Sequence, residues 1–576
     1  MAHAQPRFLD RPVTSIPAFI AESAARWRDQ PALWRWVDAR FEPVSYGSLV
    51  SAAACLAGRL SQHGVAPGQR VAIRHGDRFA FGVAYLATLW AGATAVPLDP
   101  MLTPVEVSGI LADSEAALFV TDSLTTYNVS PAMKARVVEL ADIWPNFAAD
   151  DVSVANPPDI DPEALAILIF TSGTTGYSKG VMLTHANIVT DIIAIQEMKL
   201  LEHTDKLLSV LPIHHAFEST AGFLYPLSIG AQVAYARSLK SNEILEDLRS
   251  TGATVILAVP LLYEKMANSI QKKVSEASPM RRALFGVLSP LVRVGHKVGW
   301  KTSGQTLFRP ARTKAGLGSL RFVVSGGAAL PPDVSEFFDV FGIPILQGYG
   351  LSEASPVVSV NRPGHHRYDS GGTALPGVEV RIDASSGSDG VGEIAVRGPM
   401  VMRGYWKRPE DTAAVLKDGW LLTGDLGSID PDGHVHVVGR SKNVIISGAG
   451  KNIYPEEIES VLNAQPGVGE SMVYGRTREG KTGETVAAII VPNREWFSAV
   501  QPEALRDREI LTAAIKQAVK TACVHMAPYK RIVGWDLRME PFEKTSTRKI
   551  KRAVALQQLE ESRGNIRASK ESVSGA

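Results

Sequence analysis

ALAILIFTSGTTGYSKG, residues 164–180, is the stretch from which the rest of the chain can be read. An unbroken apolar run that collapses into Thr, Ser and Gly describes a buried strand emptying into a tight turn. Such a turn leaves backbone N–H groups and hydroxyls unshielded from Thr171 through Ser172, Gly173, Thr174, Thr175 and Gly176, the material of a phosphate-cradling loop. Lys179 adds a cation. The bland alternative is an ordinary glycine-rich turn. A Walker loop is excluded by spacing: Gly173 is followed by TTGYSK and then Gly180, so the required Gly-Lys-Ser/Thr ending is missing.

The same strand grammar recurs on either side. RVAIR, ALFVT, KLLSVLP, TVILAVP, LRFVVSGG and IPILQGYG alternate with longer helical patterns through most of the first 440 residues, the rhythm of an α/β sheet protein. From about Val378 the strands come closer together (VEVRIDASSGSDGVGEIAVRG, then SIDPDGHVHVVGR), as in a β-barrel-like or antiparallel subdomain. From Val444 a hairpin, the helix YPEEIESVLN, the strand pair ESMVYGR and ETVAAIIVP and further helices make a small α+β domain. The expected organisation is a large N-terminal domain of packed α/β sheets over 1–440, a hinge at 441–443, a mobile C-terminal domain over 444–560 and a polar tail over 561–576 that frays.

Bulk properties set the limits. A chain of 576 residues exceeds one ordinary core. Sixty basic against 59 acidic residues give no global charge bias of the kind a nucleic-acid binder shows. Two cysteines, Cys55 and Cys523, both in helix-like stretches, cannot build a disulfide framework and suit a reducing cytosol. The N-terminus lacks a basic end followed by an apolar core, so no signal peptide is expected and the location is read as cytoplasmic. Phe79 to Leu98 and Ser219 to Ala236 approach membrane-spanning length, but Gly92 and Pro97 punctuate the first and Gly222, Pro226 and Gly230 the second. Both read as helix-turn-strand units of a buried sheet.

Further motifs carry chemistry. In SGGAAL (325–330) and QGYGLSEASP (347–356), the glycines let a flat base lie against the backbone and Tyr349 can stack on it. Glu353 is the candidate magnesium ligand, because a hard cation bridging phosphates needs an oxygen and commonly takes only one or two from protein. In WLLTGDLG (420–427), Asp425 can accept both hydroxyls of a sugar, although a turn-capping Asp is the plainer reading. PFEKTSTRKIKR (541–552) is a cation cluster that alone reads as a solvated face. His434 and His436 share a strand face at ligand spacing with no third ligand nearby, and read as surface.

In this order and at these distances the motifs resemble the adenylate-forming superfamily of acyl-CoA synthetases, luciferases and peptide-synthetase adenylation domains, over almost the whole chain. The likeness is greatest to bacterial long-chain fatty acyl-CoA synthetases, in HAFE, in the region from Ser325 to Pro356 and in KNIYPEEIE. Departures are mild: Phe170, Ser178 and Ser352 stand where the family usually has Tyr, Pro and Thr, and Arg548 where it has Gly. The resemblance implies ATP, magnesium and coenzyme A as cofactors or co-substrates. It implies that His215 of LPIHHAFE (211–218) lies near the carboxylate pocket, that Glu353 and Thr174 serve the metal, that Arg440 is a second ribose or phosphate contact, and that Lys442 is the hinge residue. It also implies that Lys549 is the adenylation lysine and that Gly448 and Gly450 let the pantetheine arm pass close to the backbone. By the same resemblance Gly326, Gly327, Ala328, Gln347, Gly348, Gly350 and Ser352 are expected to be nucleotide contacts.

The implied reaction turns a carboxylate into an acyl-adenylate and passes the acyl group to a thiol. The acid is expected to be a medium or long fatty acid, with Phe217 to Leu227 walling an apolar channel or serving as ordinary core. An acyl-carrier-protein ligase, a ligase for aryl acids and a non-catalytic acyl or nucleotide binder are the alternatives. The basic, amphipathic segment 271–318 carries a single acid, Glu276, and is expected either to contact an anionic membrane at its inner face or to be a solvated insertion.

Overall fold

A computed structural model describes residues 7–122, 136–143, 156–171, 179–383, 390–448, 451–477, 483–524, 526–545 and 549–574, with 564–574 as backbone only. The chain divides into two units, one of Met1–Arg381, Ala395–Leu422 and Ile429–His436, the other of Ile382–Ile394, Thr423–Ser428 and Val437–Ala576.

The first unit is built on two large sheets. One has nine strands, and its centre is five parallel strands in the order Gln232–Tyr235, Lys206–Ser209, Val255–Ala258, Phe322–Ser325 and Ile345–Gly350. These are short apolar runs because both faces are covered: Leu208, Ile256, Val323 and Ile345 are buried with Tyr263 and Phe338 from the flanking helices, and the alternate residues Leu207, Val255, Phe322 and Leu346 are buried on the other face. The other sheet has seven strands, with Leu165–Thr171 parallel to Thr94–Pro97 and antiparallel to Lys179–Thr184. The strand after the Ser/Thr/Gly turn thus returns antiparallel to the one before it, an arrangement that the turn alone does not predict. The edge strand Gly404–Tyr405 then pairs with Lys179–Thr184, setting Tyr405 opposite Val181.

Both stretches of near-membrane length resolve as read from their punctuation. Arg78–Trp90 is a helix capped by Asp77, Gly92 turns with φ +67°, and Thr94–Pro97 is a strand. Phe217–Leu224 is a π-helix leading into Tyr225–Ser228, a turn at Gly230 with φ +83° and the strand Gln232–Tyr235. Glu218 to Leu227 are all buried, so these residues are core; only Phe217 is half-buried. No helix among the described residues is long and apolar enough to cross a membrane.

The strand-rich region after Val378 forms a five-stranded sheet whose path runs from Glu379–Asp383 through Gly392–Arg397 and Trp420–Ile429 to Leu416–Lys417, with Val435–Arg440 also on Trp420–Ile429. Among the described residues this path is open rather than closed into a barrel.

In the second unit the hairpin Ile445–Ile446 with Asn452–Ile453 precedes the helix Pro455–Asn463 and a three-stranded sheet of Val468–Thr477, Glu484–Pro492 and Gly534–Leu537. One face of that sheet packs Val473, Val486 and Ile490 against Ile458, Leu462 and Ile515. The other packs Met472, Tyr474 and Ile489 against Phe542 and Ala555. Arg552–Ser574 is a helix that runs into the segment read as a polar tail. Its Ala, Gln, Glu, Arg and Lys residues are good helix formers, and the helix is anchored at its start by Ala555 and by Arg552, which bonds Glu459 at 2.5 Å.

Candidate functional site

The base of the Ser/Thr/Gly turn is well defined, while Ser172, Gly173, Thr174, Thr175 and Gly176 lie outside the described residues. Thr171 and Lys179 face one another across the hairpin, and the Thr171 hydroxyl reaches the Lys179 carbonyl at 3.4 Å. The Lys179 ammonium pairs with Asp411 at 2.6 Å and lies 5.1 Å from the centre of the Tyr405 ring. Tyr405 in turn donates its hydroxyl to Glu353 Oε1 at 2.9 Å. Lys179 and Glu353, 174 residues apart in the motifs TSGTTGYSKG and QGYGLSEASP, are thus joined through one tyrosine that belongs to neither motif.

Glu353 sits on the 3-10 turn Ser352–Ala354 after the strand Ile345–Gly350. The segment Met400–Tyr405 holds it twice: Met402 N–H donates to the Glu353 carbonyl at 2.8 Å, and Tyr405 reaches its carboxylate. Gly350 must be glycine, because a Cβ there would lie 2.0 Å from the Pro356 carbonyl oxygen. Gly348 lies beside Ser359 and Gly371 beside Tyr349. Gln347 is buried and its amide donates to the Tyr368 carbonyl at 2.6 Å, so this side chain braces the strand instead of reaching outward.

SGGAAL and LPIHHAFE also meet. A Cβ on Gly326 would sit 2.7 Å from the Phe217 ring, and Gly327 turns with φ +82°, leading into Ala328. Within the histidine pair, the rings stand 4.3 Å apart at 49°, with His214 buried against Asp99 at 3.6 Å and His215 half-buried.

Glu218, at the end of that motif, is buried with its carboxyl pushed up to about 7 by desolvation, in part opposed by the Ser209 hydroxyl and the Arg78 guanidinium. A carboxyl raised above its unfolded value, roughly 4.3, lends stability below that pH and loses it as pH rises through about 7. Glu218→Gln is therefore expected to gain stability over the wild type between pH 5 and pH 8, by an order of ~3 kcal/mol. Melting temperatures of both proteins across that window check it, and a constant difference would refute the assignment.

The second unit assembles its own group. Asp425, buried on Trp420–Ile429, pairs with Arg440 Nε at 2.8 Å at the end of the neighbouring strand. Lys442 is exposed on the 3-10 turn Ser441–Asn443. Gly448 is exposed and touches Gly483, whose φ is +77°, so closely that a Cβ on Gly483 would lie 2.5 Å from its Cα; Gly450 lies outside the described residues. Lys549 is exposed on a tight return in which Thr545 N–H donates to the Lys549 carbonyl at 2.8 Å and Lys549 N–H to the Thr545 hydroxyl at 3.1 Å. The cation cluster around it is no uniform solvated face: Lys544 is tied to Glu470 at 2.6 Å and Arg552 to Glu459.

His434 corrects its reading as surface. It is buried, and Asp430 faces both imidazoles, with His436 Nε2 3.2 Å from Asp430 Oδ2. Among the described residues no group of three His, Cys, Asp or Glu side chains is placed to hold a metal by itself. Glu353 alone fits an ion that takes most of its ligands from phosphate and water, as magnesium does.

These features suit an enzyme that binds a nucleotide, and the chain belongs to the AMP-binding enzyme family: that family's model matches residues 20–406, and the AMP-binding enzyme C-terminal domain matches 457–549. The chain is 28% identical to the long-chain-fatty-acid–CoA ligase of Bacillus subtilis (strain 168), over 96% of each chain. It is 32% identical to a feruloyl-CoA synthase of Amycolatopsis, over 78% of this chain and 84% of that one. The solved structure of ATP-bound MatB from Rhodopseudomonas palustris superposes with a TM-score of 0.72 at 27% identity, covering 94% of this chain and 98% of that one.

Proposed function

We propose that this protein is a cytoplasmic, AMP-forming acid–thiol ligase: it activates a medium- or long-chain fatty acid with ATP as an acyl-adenylate and transfers the acyl group to coenzyme A, releasing pyrophosphate and AMP. The observation that supports it is the junction of Lys179, Tyr405 and Glu353: the Lys179 ammonium lies 5.1 Å from the Tyr405 ring, and the Tyr405 hydroxyl donates to Glu353 at 2.9 Å.

In the first step a carboxylate oxygen attacks the α-phosphorus and the bond to pyrophosphate breaks. Charge accumulates on the attacking oxygen, the phosphate oxygens and the leaving group. Magnesium, when bound, neutralises part of that charge, with Glu353 and Thr174 as its protein ligands in this reading. Thr171, the turn from Ser172 to Gly176, and Lys179 bind the triphosphate, and Lys549 supplies positive charge at the reacting phosphate. Gly326, Gly327, Ala328, Gly348, Tyr349, Gly350 and Ser352 shape the base pocket, Gln347 supports it from within the strand, and Asp425 with Arg440 takes the ribose. His215 is assigned to the substrate carboxylate.

The second step asks less of the protein, since a thiol with pKa of about 8.5 is already a few per cent thiolate at neutral pH. Lys442 is assigned to a hinge between the steps, and Gly448 with Gly450 to the passage of pantetheine. The 32% identity to a feruloyl-CoA synthase keeps an aryl acid as the second reading. Carrier protein in place of coenzyme A is a variant of the first. In this reading the acid is drawn from an anionic membrane touched by segment 271–318.

A panel of acids from C2 to C20 with aryl acids, scored for pyrophosphate exchange and for AMP release with coenzyme A or holo carrier protein, tests all of this. Exchange rates are expected to peak among the longer aliphatic acids. A peak among aryl acids replaces the substrate reading; no exchange with any acid overturns the reaction.

A further inference from the structure

The helix Pro279–Lys297 buries only part of its circumference. Ser289 and Val292 are buried, and Phe285 and Leu288 pack on the core of the nine-stranded sheet. Met280, Leu284, Val287, Leu291, Val294 and Val298 are not part of that contact; each is between 52% and 78% exposed. Their spacings of four, three, four, three and four residues put them in one row along the helix, and Trp300, 47% exposed, stands just past its end. Isolated surface hydrophobes are ordinary, but an aligned row of six is the mark of a face that something covers.

The charges around the row say what covers it. Arg281 and Lys297 are exposed and lie about 100° to either side of the row; Lys301 is exposed just past its end, Lys272 and Lys273 are exposed at the end of the preceding helix Pro260–Ser275, and Arg282 is exposed on the opposite side. Two other cations are otherwise engaged: Arg293 pairs with Glu336, and Arg312, against the expectation of a wholly exposed basic stretch, is buried and donates to the Leu320 carbonyl. Glu276 is the one acid between 271 and 318. A second copy of this face would bring like charge against like. An anionic bilayer offers both a hydrocarbon boundary for the row and negative headgroups for its flanks.

We propose that Pro279–Lys297 lies flat on an anionic lipid bilayer with the Met280–Val298 row inserted at the headgroup boundary and the flanking lysines and arginines on the lipid charges. The surface contact does not depend on the chemistry of the site; only its use, access to a sparingly soluble acid, rests on the proposed function.

Full-length protein is sedimented with vesicles of phosphatidylcholine alone and of phosphatidylcholine mixed with phosphatidylglycerol, at low and high salt. Binding is expected only to the mixed vesicles and to weaken as salt rises. The pair Leu284→Gln with Leu291→Gln, and separately the trio Lys272→Gln, Lys273→Gln and Arg281→Gln, are each expected to lower partitioning about tenfold or more. Pyrophosphate exchange without lipid is expected to stay at the wild-type level in both variants. Equal binding to neutral vesicles, binding undiminished in either variant, or a wild-type dimer in sedimentation velocity that Leu284→Gln abolishes would each overturn the proposal. Loss of exchange in the wild-type protein with vesicle binding intact would sink the ligase reading alone.

Discussion

Lys549→Ala is expected to lower acyl-adenylate formation by about 10² to 10³, or roughly 2.7 to 4 kcal/mol, the loss usual when one preorganised charge contact is removed from a transition state. Thioester formation from supplied acyl-AMP is expected to stay within about twofold of wild type, because an interaction made only in the first transition state leaves the second untouched. The return holding Lys549 is closed by backbone groups and the Thr545 hydroxyl, and the neighbouring Lys544 and Arg552 are committed to Glu470 and Glu459. The two bonds between Thr545 and Lys549 use the Lys549 backbone, so Lys549→Ala keeps both. Pyrophosphate exchange measures the first half-reaction, and single-turnover thioesterification of synthetic acyl-AMP the second. Equal loss in both would show that Lys549 has another task.

Glu353→Gln comes second in size. It keeps the shape and the contact with Tyr405 but removes the negative charge, so exchange is expected to fall about 10²-fold and to need more magnesium for half-maximal rate. Tyr405→Phe should be milder. It removes one hydrogen bond to the carboxylate, worth about 0.5 to 1.5 kcal/mol, or roughly two- to tenfold. Magnesium titrations of exchange for both variants, with melting curves to confirm folding, separate the two effects. An unchanged magnesium requirement in Glu353→Gln would remove this residue from the metal.

Much of this was legible because the family's chemistry is written in contiguous stretches. Leu165–Thr171 and the turn after it lie in one run of sequence, and the apolar-to-polar switch predicts strand and loop, though not the antiparallel return Lys179–Thr184. Tyr405 and Asp411 were not legible. They sit in GYWKRPED with no spacing that points to a phosphate turn more than two hundred residues earlier, and only pairing of the edge strand Gly404–Tyr405 brings them there. Burial is the other blind spot. His434, Arg312 and Gln347 carry polar side chains that a sequence assigns to surface or ligand, yet each has its hydrogen bonds inside the protein, to His365, Leu320 and Tyr368. A strongly polar composition likewise hides the helix Arg552–Ser574, since the residues that discourage a packed core are also good helix formers.

The contact between Lys179 and Asp411 has a thermodynamic consequence. A polyphosphate that takes the ammonium must displace a carboxylate already resting there, so nucleotide capture is a substitution of one anion for another and not a simple gain of an ion pair. Asp411 keeps its negative charge beside the incoming phosphates, and like charge at that distance favours a divalent cation close by. Nucleotide and metal affinities should therefore rise together, and Asp411→Asn should tighten metal-free nucleotide binding while weakening that mutual dependence.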